Sequence, residues 1–240
     1  MTGWAEGVSL LAVDTCGSAG SVALGRVEGG AVRILAEGAI PGGEFAAQLL
    51  PVIEELLTGA GVRIGELGGI TVVAGPGSFT GIRIGLAAVK AMAEAAALPV
   101  VTVSRLALLA DLAQAPSAVL DAHRGQVFYG HFAPDQKDKE LLLTAGEINA
   151  MGGLCGRVAV CEESVAQMIE ELQGEPELVR VAAPTAADAL RFSAAIWQSG
   201  ETADVAALDG HYLRGADAKI AEPKIAEPKI AEPRPAGRRT

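Results

Sequence analysis

Hydrophobic and polar positions in the first hundred residues follow two periods, one typical of strands and one typical of helices. Apolar, mostly β-branched stretches of strand length predict five strands, at 9–14, 20–27, 32–37, 69–74 and 99–103. The first three predict an antiparallel meander. Apolar residues at helical spacing predict helices at 45–57 and 80–96. Pro51 lies inside the first of these helices, where it predicts a kink or a restart.

The second half of the chain shows the same two periods in shorter segments. Strands are predicted at 118–121, 127–132, 157–161 and 178–182, and helices at 164–173 and 185–200. The last helix is expected to pack back on the first half. The stretch 134–156 shows neither period and is predicted to be rich in loops.

The most informative segment joins a predicted strand to a predicted helix and reads Gly-Pro-Gly-Ser-Phe-Thr-Gly from Gly75 to Gly81. Gly75 and Gly77 permit close backbone approach, and Ser78 and Thr80 carry hydroxyls near unpaired helix amides. Such a loop can cradle an anion, or it can simply turn the chain so that the helix packs on the sheet. The spacing matches neither the GxxxxGK[ST] phosphate loop nor the GxGxxG dinucleotide fingerprint.

This loop and five further segments resemble the TsaB (YeaZ) family, in order and over roughly residues 9–217. The other segments are 10–24, 48–57, 99–104, 119–129 and 212–217. The resemblance implies an α/β protein with the actin-like ATPase (ribonuclease-H-like) fold, in which two lobes contain mixed sheets flanked by helices. The predicted divisions are a first lobe at 1–104 completed by 185–200 and the segment to 218, a smaller second lobe at 105–184, and a flexible tail at 219–240.

The same resemblance implies a function in making threonylcarbamoyladenosine at adenosine 37 of tRNA. The chain is expected to be a non-catalytic scaffold or activator that pairs with TsaD, joins TsaE in a larger complex and forms a homodimer when alone. It is expected to meet tRNA only indirectly. No catalytic residue and no required cofactor is assigned. Weak ATP or ADP binding is expected on vestigial phosphate loops at Asp14, Thr15, Gly75, Gly77, Ser78 and Thr80.

The residues at the two phosphate-loop positions could either bind a ligand or simply stabilise a turn. Asp14 could organise a hydrated Mg²⁺ and Thr15 could donate to a phosphate, or both could satisfy amides of a hairpin turn. Cys16 is a weaker donor than the Ser or Thr that the family more often has there. The second loop, 121–126, lacks the paired glycines that would let the backbone approach phosphates. Autonomous ATP hydrolysis is therefore poorly supported.

Metal and serine chemistry find little support in the sequence. The related TsaD uses a His-x-x-x-His metal pair, whereas no two of His123, His131 and His211 are four residues apart. No metal site is predicted. Ser78 does not lie in a G-x-S-x-G elbow. An autonomous ATP-dependent enzyme or a peptidase of the actin-like superfamily remains the alternative function, and an RNA-binding module is a third class.

Charge and composition weigh against direct RNA binding. The chain carries a net charge of −10, but the last 22 residues hold six Lys/Arg and three Glu, so residues 1–218 carry a net −13. Such a body repels phosphates. The three cysteines show no disulfide spacing, and residues near the start show no basic n-region. These features predict a cytoplasmic protein without a membrane span.

The helices at 45–57 and 80–96 are apolar over more than one stripe, which predicts a second packing partner besides the sheet. Small alanines allow helices to approach closely, so we expect a helical interface between chains. Burial by the second lobe is the alternative. The predicted interface residues are Leu49, Ile53, Ile84, Ala88 and Met92.

The chain from Lys219 repeats Lys-Ile-Ala-Glu-Pro three times, which predicts a flexible extension or a partner-binding tail. One large apolar residue per five cannot form a core. Truncation after Ala218 is therefore expected to leave the melting temperature unchanged in a thermal unfolding experiment. A drop of several degrees would show that the tail is docked on the folded body.

Overall fold

The structure, a computed structural model, describes residues 4–133 and 138–214. The first part forms β1 (Ser9–Asp14), β2 (Gly20–Glu28), β3 (Ala31–Ile40), α1 (Phe45–Gly59), β4 (Leu67–Gly75), α2 (Phe79–Ala96) and β5 (Val100–Ser104). The second part forms α3 (Arg105–Leu112), β6 (Ser117–Asp121), β7 (Gln126–His131), β8 (Lys139–Thr144), α4 (Ala145–Ala150), β9 (Arg157–Val160), α5 (Glu163–Glu170) and β10 (Glu177–Arg180). Two short helices follow, α6 (Ala186–Phe192) and α7 (Ala194–Ser199).

The strands form two five-stranded mixed sheets that repeat one topology. The first has the order β3-β2-β1-β4-β5 and the second the order β8-β7-β6-β9-β10. In each sheet the first strand pairs antiparallel with the second and parallel with the fourth. Each unit is thus three antiparallel strands, a helix, a strand, a helix and a strand. This duplication is the actin-like ATPase (ribonuclease-H-like) fold, which confirms the predicted fold class.

Helices cover both faces of the first sheet. A Cβ at Gly20 would lie 2.9 Å from the Phe45 ring of α1, whereas one at Gly25 would lie 3.1 Å from Leu190 of α6. Residues an odd number apart on a strand point to opposite faces, so α1 and α6 lie on opposite sides. The central strand β1 is accordingly buried along its whole length.

Two local predictions are wrong. The stretch 134–156 is not simply loop, because it contains β8 and α4, and the Thr144 hydroxyl accepts a hydrogen bond from the Glu147 amide (3.2 Å) to cap that helix. The helix predicted at 185–200 is interrupted at Ser193, whose hydroxyl lies 2.9 Å from that of Thr71. The helix α1 runs through Pro51 without the restart that was one of two predicted outcomes, and the kink stays a prediction.

The start of α2 packs on the loop that follows β1. A Cβ at Gly81 would overlap the Thr15 carbonyl oxygen, and one at Gly85 would overlap the Thr15 hydroxyl. That hydroxyl donates to the Gly81 carbonyl oxygen over 2.7 Å. Absence of side chains at these two glycines therefore sets how closely α2 approaches the sheet.

The predicted tail at 219–240 lies outside the described residues. Among the residues that are described, no helix combines the length and the apolar character that crossing a bilayer requires.

Two glycine substitutions test the α2 contact. Gly81→Ala is expected to destabilise the fold by about 1–3 kcal/mol, because the added methyl group meets backbone that cannot rotate away. The matched control is Gly59→Ala at the end of α1, where a Cβ would meet nothing within 4 Å. That change is expected to stabilise by about 0.5 kcal/mol. Denaturant unfolding measures both, and a stabilising Gly81→Ala would contradict the packing argument.

Candidate functional site

The first predicted phosphate loop is closed by its own contacts. The Asp14 and Thr15 side chains are buried, and Asp14 Oδ1 accepts a hydrogen bond from the Cys16 amide (2.8 Å). Burial raises the pKa of Asp14, while the charge of Arg105 and the Cys16 amide act in the opposite direction. The polar side chains of the loop therefore form hydrogen bonds with its own backbone and with α2.

Arg105 occupies the space above this loop. Its Nε lies 3.9 Å from Asp14 Oδ2, with side chains only 8% and 3% exposed, and its Nη2 lies 2.6 Å from where a Cβ of Gly17 would be. The Arg105 Nε is buried and has no hydrogen-bond partner among the described residues. Sequence reasoning missed this residue. The available signal was a lone charge at the start of an apolar run after Ser104, the N-cap of α3.

The glycine-rich loop packs against the first loop. The Ser78 amide donates to the Cys16 carbonyl oxygen (2.8 Å), and the Ser78 hydroxyl accepts from the Gly81 amide (3.2 Å). A Cβ at Gly77 would overlap the Cys16 carbonyl oxygen. The Cys16 thiol donates to a backbone carbonyl, and burial raises the pKa of Cys16 well above its usual range, so the group stays protonated. Turning the chain and packing the helix are the roles that these contacts support.

A cavity of about 500 Å³ opens beside these loops, between the two sheets. Its walls come from the start of α2, the β6–β7 turn and the segment 211–214. The second predicted phosphate loop is this β6–β7 turn, in which His123, Arg124 and Gly125 all have positive φ. Of the six predicted nucleotide positions only Gly77 lines the cavity.

Several known proteins are similar to this chain. The family model for TsaD, tRNA N6-adenosine threonylcarbamoyltransferase, matches residues 40–151. The chain is 29% identical to the tRNA threonylcarbamoyladenosine biosynthesis protein TsaB of Escherichia coli, covering 85% of this chain and 94% of that protein. TsaB of Haemophilus influenzae is 34% identical over 52% of this chain and 53% of its own length.

A solved structure gives the same answer. YeaZ from Pseudomonas aeruginosa superposes with a TM-score of 0.69 at 28% identity, covering 86% of this chain and 100% of that one. The chain is thus similar to TsaB (YeaZ) proteins over most of its length.

The predicted interface of this chain needs correction. Leu49, Ile53 and Met92 are part of the core of their own lobe, so their side chains cannot meet a partner. Ile84 and Ala88 are half-buried. The error arises because alanines on both sides of a helix hide which apolar stripe faces inward. The interface itself stays a prediction.

The three histidines contact different residues. His131 Nδ1 lies 2.9 Å from the Ser117 hydroxyl, and His123 Nδ1 lies 3.2 Å from Asp121 Oδ2. Across residues 4–133 and 138–214, no three His, Cys, Asp or Glu side chains converge as metal ligands.

His211 belongs to a polar contact between the two lobes. Its Nε2 lies 2.5 Å from Glu140 Oε2 on β8, and the other oxygen of Glu140 accepts a close hydrogen bond from the Ser104 hydroxyl. The His211 amide donates to the Ala74 carbonyl oxygen (2.8 Å). One carboxylate therefore joins the second sheet to β5 and to the C-terminal segment, next to the cavity.

This contact predicts a pH dependence of stability. The hydrogen bond that the His211 ring donates to the Glu140 carboxylate raises the pKa of His211 above its ordinary value of 6.5. The stabilisation is complete below the unfolded-state pKa and is lost as pH rises through the higher folded-state pKa. His211→Gln is therefore expected to lower the melting temperature more at about pH 6 than at about pH 8.5.

Thermal unfolding in a Glu140→Gln background provides the control. There His211 has lost the carboxylate that raises its pKa, so the His211→Gln effect should vary much less with pH. An equal loss at both pH values in the unaltered background would show that the ring contributes through packing alone.

Proposed function

We propose that this protein serves threonylcarbamoyladenosine biosynthesis on tRNA as a non-catalytic partner that scaffolds or activates TsaD. The observation that carries the proposal is the closed first loop. Asp14 and Thr15, the groups that a phosphate or a hydrated metal would need, are buried and bonded within the chain. Arg105 lies where a ligand would approach them.

An autonomous enzyme would need a different arrangement of these groups. Opening the first loop would separate the Asp14 carboxylate from Arg105, leaving two buried charges without partners. A serine peptidase would need a histidine hydrogen-bonded to its nucleophile. The Ser78 hydroxyl instead accepts a hydrogen bond from the Gly81 amide, and within the described part of the chain no hydrogen bond joins it to a histidine. These contacts favour a supporting subunit over an independent catalyst.

The outer surface of α1 and α2 is the surface that we assign to TsaD. The two helices pack side by side, and Leu50 on α1 is 57% exposed. Exposed alanines also lie on the two helices: Ala46, Ala47, Ala87, Ala91 and Ala95. Small side chains let helices of two chains approach closely. Neither the sheet nor the second lobe covers these residues.

The remaining expectations extend this assignment. The same helix pair forms a homodimer when the protein is alone and exchanges that contact for TsaD, and TsaE joins the larger complex. The protein acts in the cytoplasm. Its acidic body, net −13 over residues 1–218, leaves tRNA binding to its partners.

Reconstitution tests the function. Purified protein, its TsaD counterpart and the other components are combined with tRNA, and modification at adenosine 37 is measured with each omitted in turn. We expect modification to require this chain together with TsaD, and the chain alone to hydrolyse neither ATP nor peptides. Undiminished modification without it, or ATP turnover abolished by Asp14→Asn while TsaD binding persists, would contradict the proposal.

A matched pair of variants tests the surface. Leu50→Glu is expected to weaken association with TsaD more than about tenfold, because an unpaired charge is costly at a packed apolar contact. Leu112→Glu is the control, since Leu112 on α3 is also exposed (38%) but lies off the helix pair. Sedimentation of folded variants, alone and with TsaD, measures both. Equal effects of the two changes would remove α1 from the interface.

A further inference from the structure

A groove of about 620 Å³ runs along the outer edge of β5, the last strand of the first sheet. At the start of this edge, the Ala203 amide donates to the Val100 carbonyl oxygen (2.8 Å). Backbone groups alternate in direction along a strand, so Thr102, which lines the groove, also points its amide and carbonyl outward. Across residues 4–133 and 138–214, no backbone hydrogen bond continues along this edge beyond Val100. The edge is therefore open to an added strand.

The β5 groove combines an apolar floor with an acidic rim. Val103 and Leu208 line it and are buried. Three exposed carboxylates also line it, those of Asp138, Asp204 and Asp209. Within the part of the chain that the structure describes, no ion pair neutralises these three. A basic segment with one apolar side chain is the complement of such a groove.

The other charged groups near the β5 groove are already engaged. The Glu140 carboxylate joins the His211 ring and the Ser104 hydroxyl. The Lys90 ammonium donates to the carbonyl oxygens of Ala206 and Leu208, each over 3.2 Å. Neither cation therefore compensates the three aspartates of the rim.

The repeat at the end of the chain has the complementary chemistry. Residues 219–233 read Lys-Ile-Ala-Glu-Pro three times, and residues 219–240 carry six basic and three acidic side chains. Each unit offers a lysine for the rim and an isoleucine for the floor. Proline lacks an amide hydrogen and is confined to sheet edges, so an added strand would stop at the end of each unit. A unit of this length suits a short open edge.

The described chain ends within reach of the β5 groove. His211 lines the groove, and Arg214 is the last described residue. Lys219 follows Arg214 by five residues, which span up to about 17 Å when extended. The three residues from Arg214 back to His211 span at most about 11 Å. The cavity between the lobes is a poorer place for a basic segment, because Arg83 and Arg214 line it.

We propose that one Lys-Ile-Ala-Glu unit of the chain's own tail docks in the β5 groove as a short strand added to the sheet. Main-chain hydrogen bonds to Thr102 hold the unit, its lysine lies beside the aspartates, and its isoleucine contacts the apolar floor. Three equivalent units on one tail keep the local concentration of the motif high. Composition alone led to the expectation that truncation after Ala218 leaves the melting temperature unchanged, and the groove reverses that expectation.

Carbodiimide cross-linking of the full chain tests the contact, because this reagent joins an amine directly to a carboxylate that touches it. A mixture of isotope-labelled and unlabelled protein shows by mass spectrometry whether a link lies within one chain. The links that we expect join the repeat lysines, Lys219, Lys224 or Lys229, to the rim aspartates, Asp138, Asp204 or Asp209. Equal linking to exposed carboxylates elsewhere, such as Asp111, would overturn the docking site. Links between labelled and unlabelled chains would overturn the assignment to the chain's own tail.

Thermal unfolding of full-length variants measures the coupling between groove and tail. Asp204→Asn with Asp209→Asn removes two charges but keeps the oxygens that accept from the Ala206 (3.0 Å) and Gly210 (2.7 Å) amides. We expect this pair of changes to lower the melting temperature about 2 °C more in the unaltered chain than in a chain whose three repeat lysines are glutamine. The difference should shrink at high salt.

The matched control is Asp111→Asn, since Asp111 is exposed on α3 and does not line the groove. Its effect on the melting temperature should be the same in both tail backgrounds. Equal effects of the groove changes in the two backgrounds would refute the proposal, whatever the outcome of the experiments with TsaD.

Discussion

The contact between Thr15 and the start of α2 is the constraint on which the rest of this structure depends. The Thr15 carbonyl and hydroxyl lie against two helix positions that have no side chain, Gly81 and Gly85. Close approach brings α2 down onto the sheet and draws the glycine-rich loop over Cys16. The same contact closes the first loop to ligands and leaves the opposite surface of α2 exposed. This one packing contact therefore affects the fold, the candidate site and the proposed partner surface.

The two lobes meet through polar contacts beside the cavity. Glu140 joins His211 and Ser104, so the second sheet is held to β5 and to the C-terminal segment by one carboxylate. The segment continues past His211 to Tyr212 and Arg214, which line the cavity. Any ligand in the cavity would therefore touch the segment that also connects the lobes. Binding there and the arrangement of the lobes are linked by geometry.

This chain has the fold of the actin-like ATPases without an open first phosphate loop. The duplicated sheet topology is that of the actin-like ATPases, yet the first loop is occupied by Arg105 instead of being open to phosphate. A buried guanidinium beside a buried carboxylate is a structural pair. The exposed apolar side chains on α1 and α2 suit a protein partner.

The sequence alone showed the resemblance to TsaB proteins through its motifs. It also determined most strands and helices, because β-branched runs, helical spacing and glycine punctuation act locally. It did not reveal β8, an edge strand whose half-exposed residues lack strict alternation, nor the place of Arg105 over Gly17. It also could not tell that Leu49, Ile53 and Met92 face inward, since alanine-rich helices are apolar on several sides. Only the tertiary structure decided these points, because burial and long-range contacts depend on how the sheets and helices pack. Cys16 and Val73 are 57 positions apart in the sequence, and Thr71 and Trp197 are 126 positions apart, yet each pair is joined by a hydrogen bond.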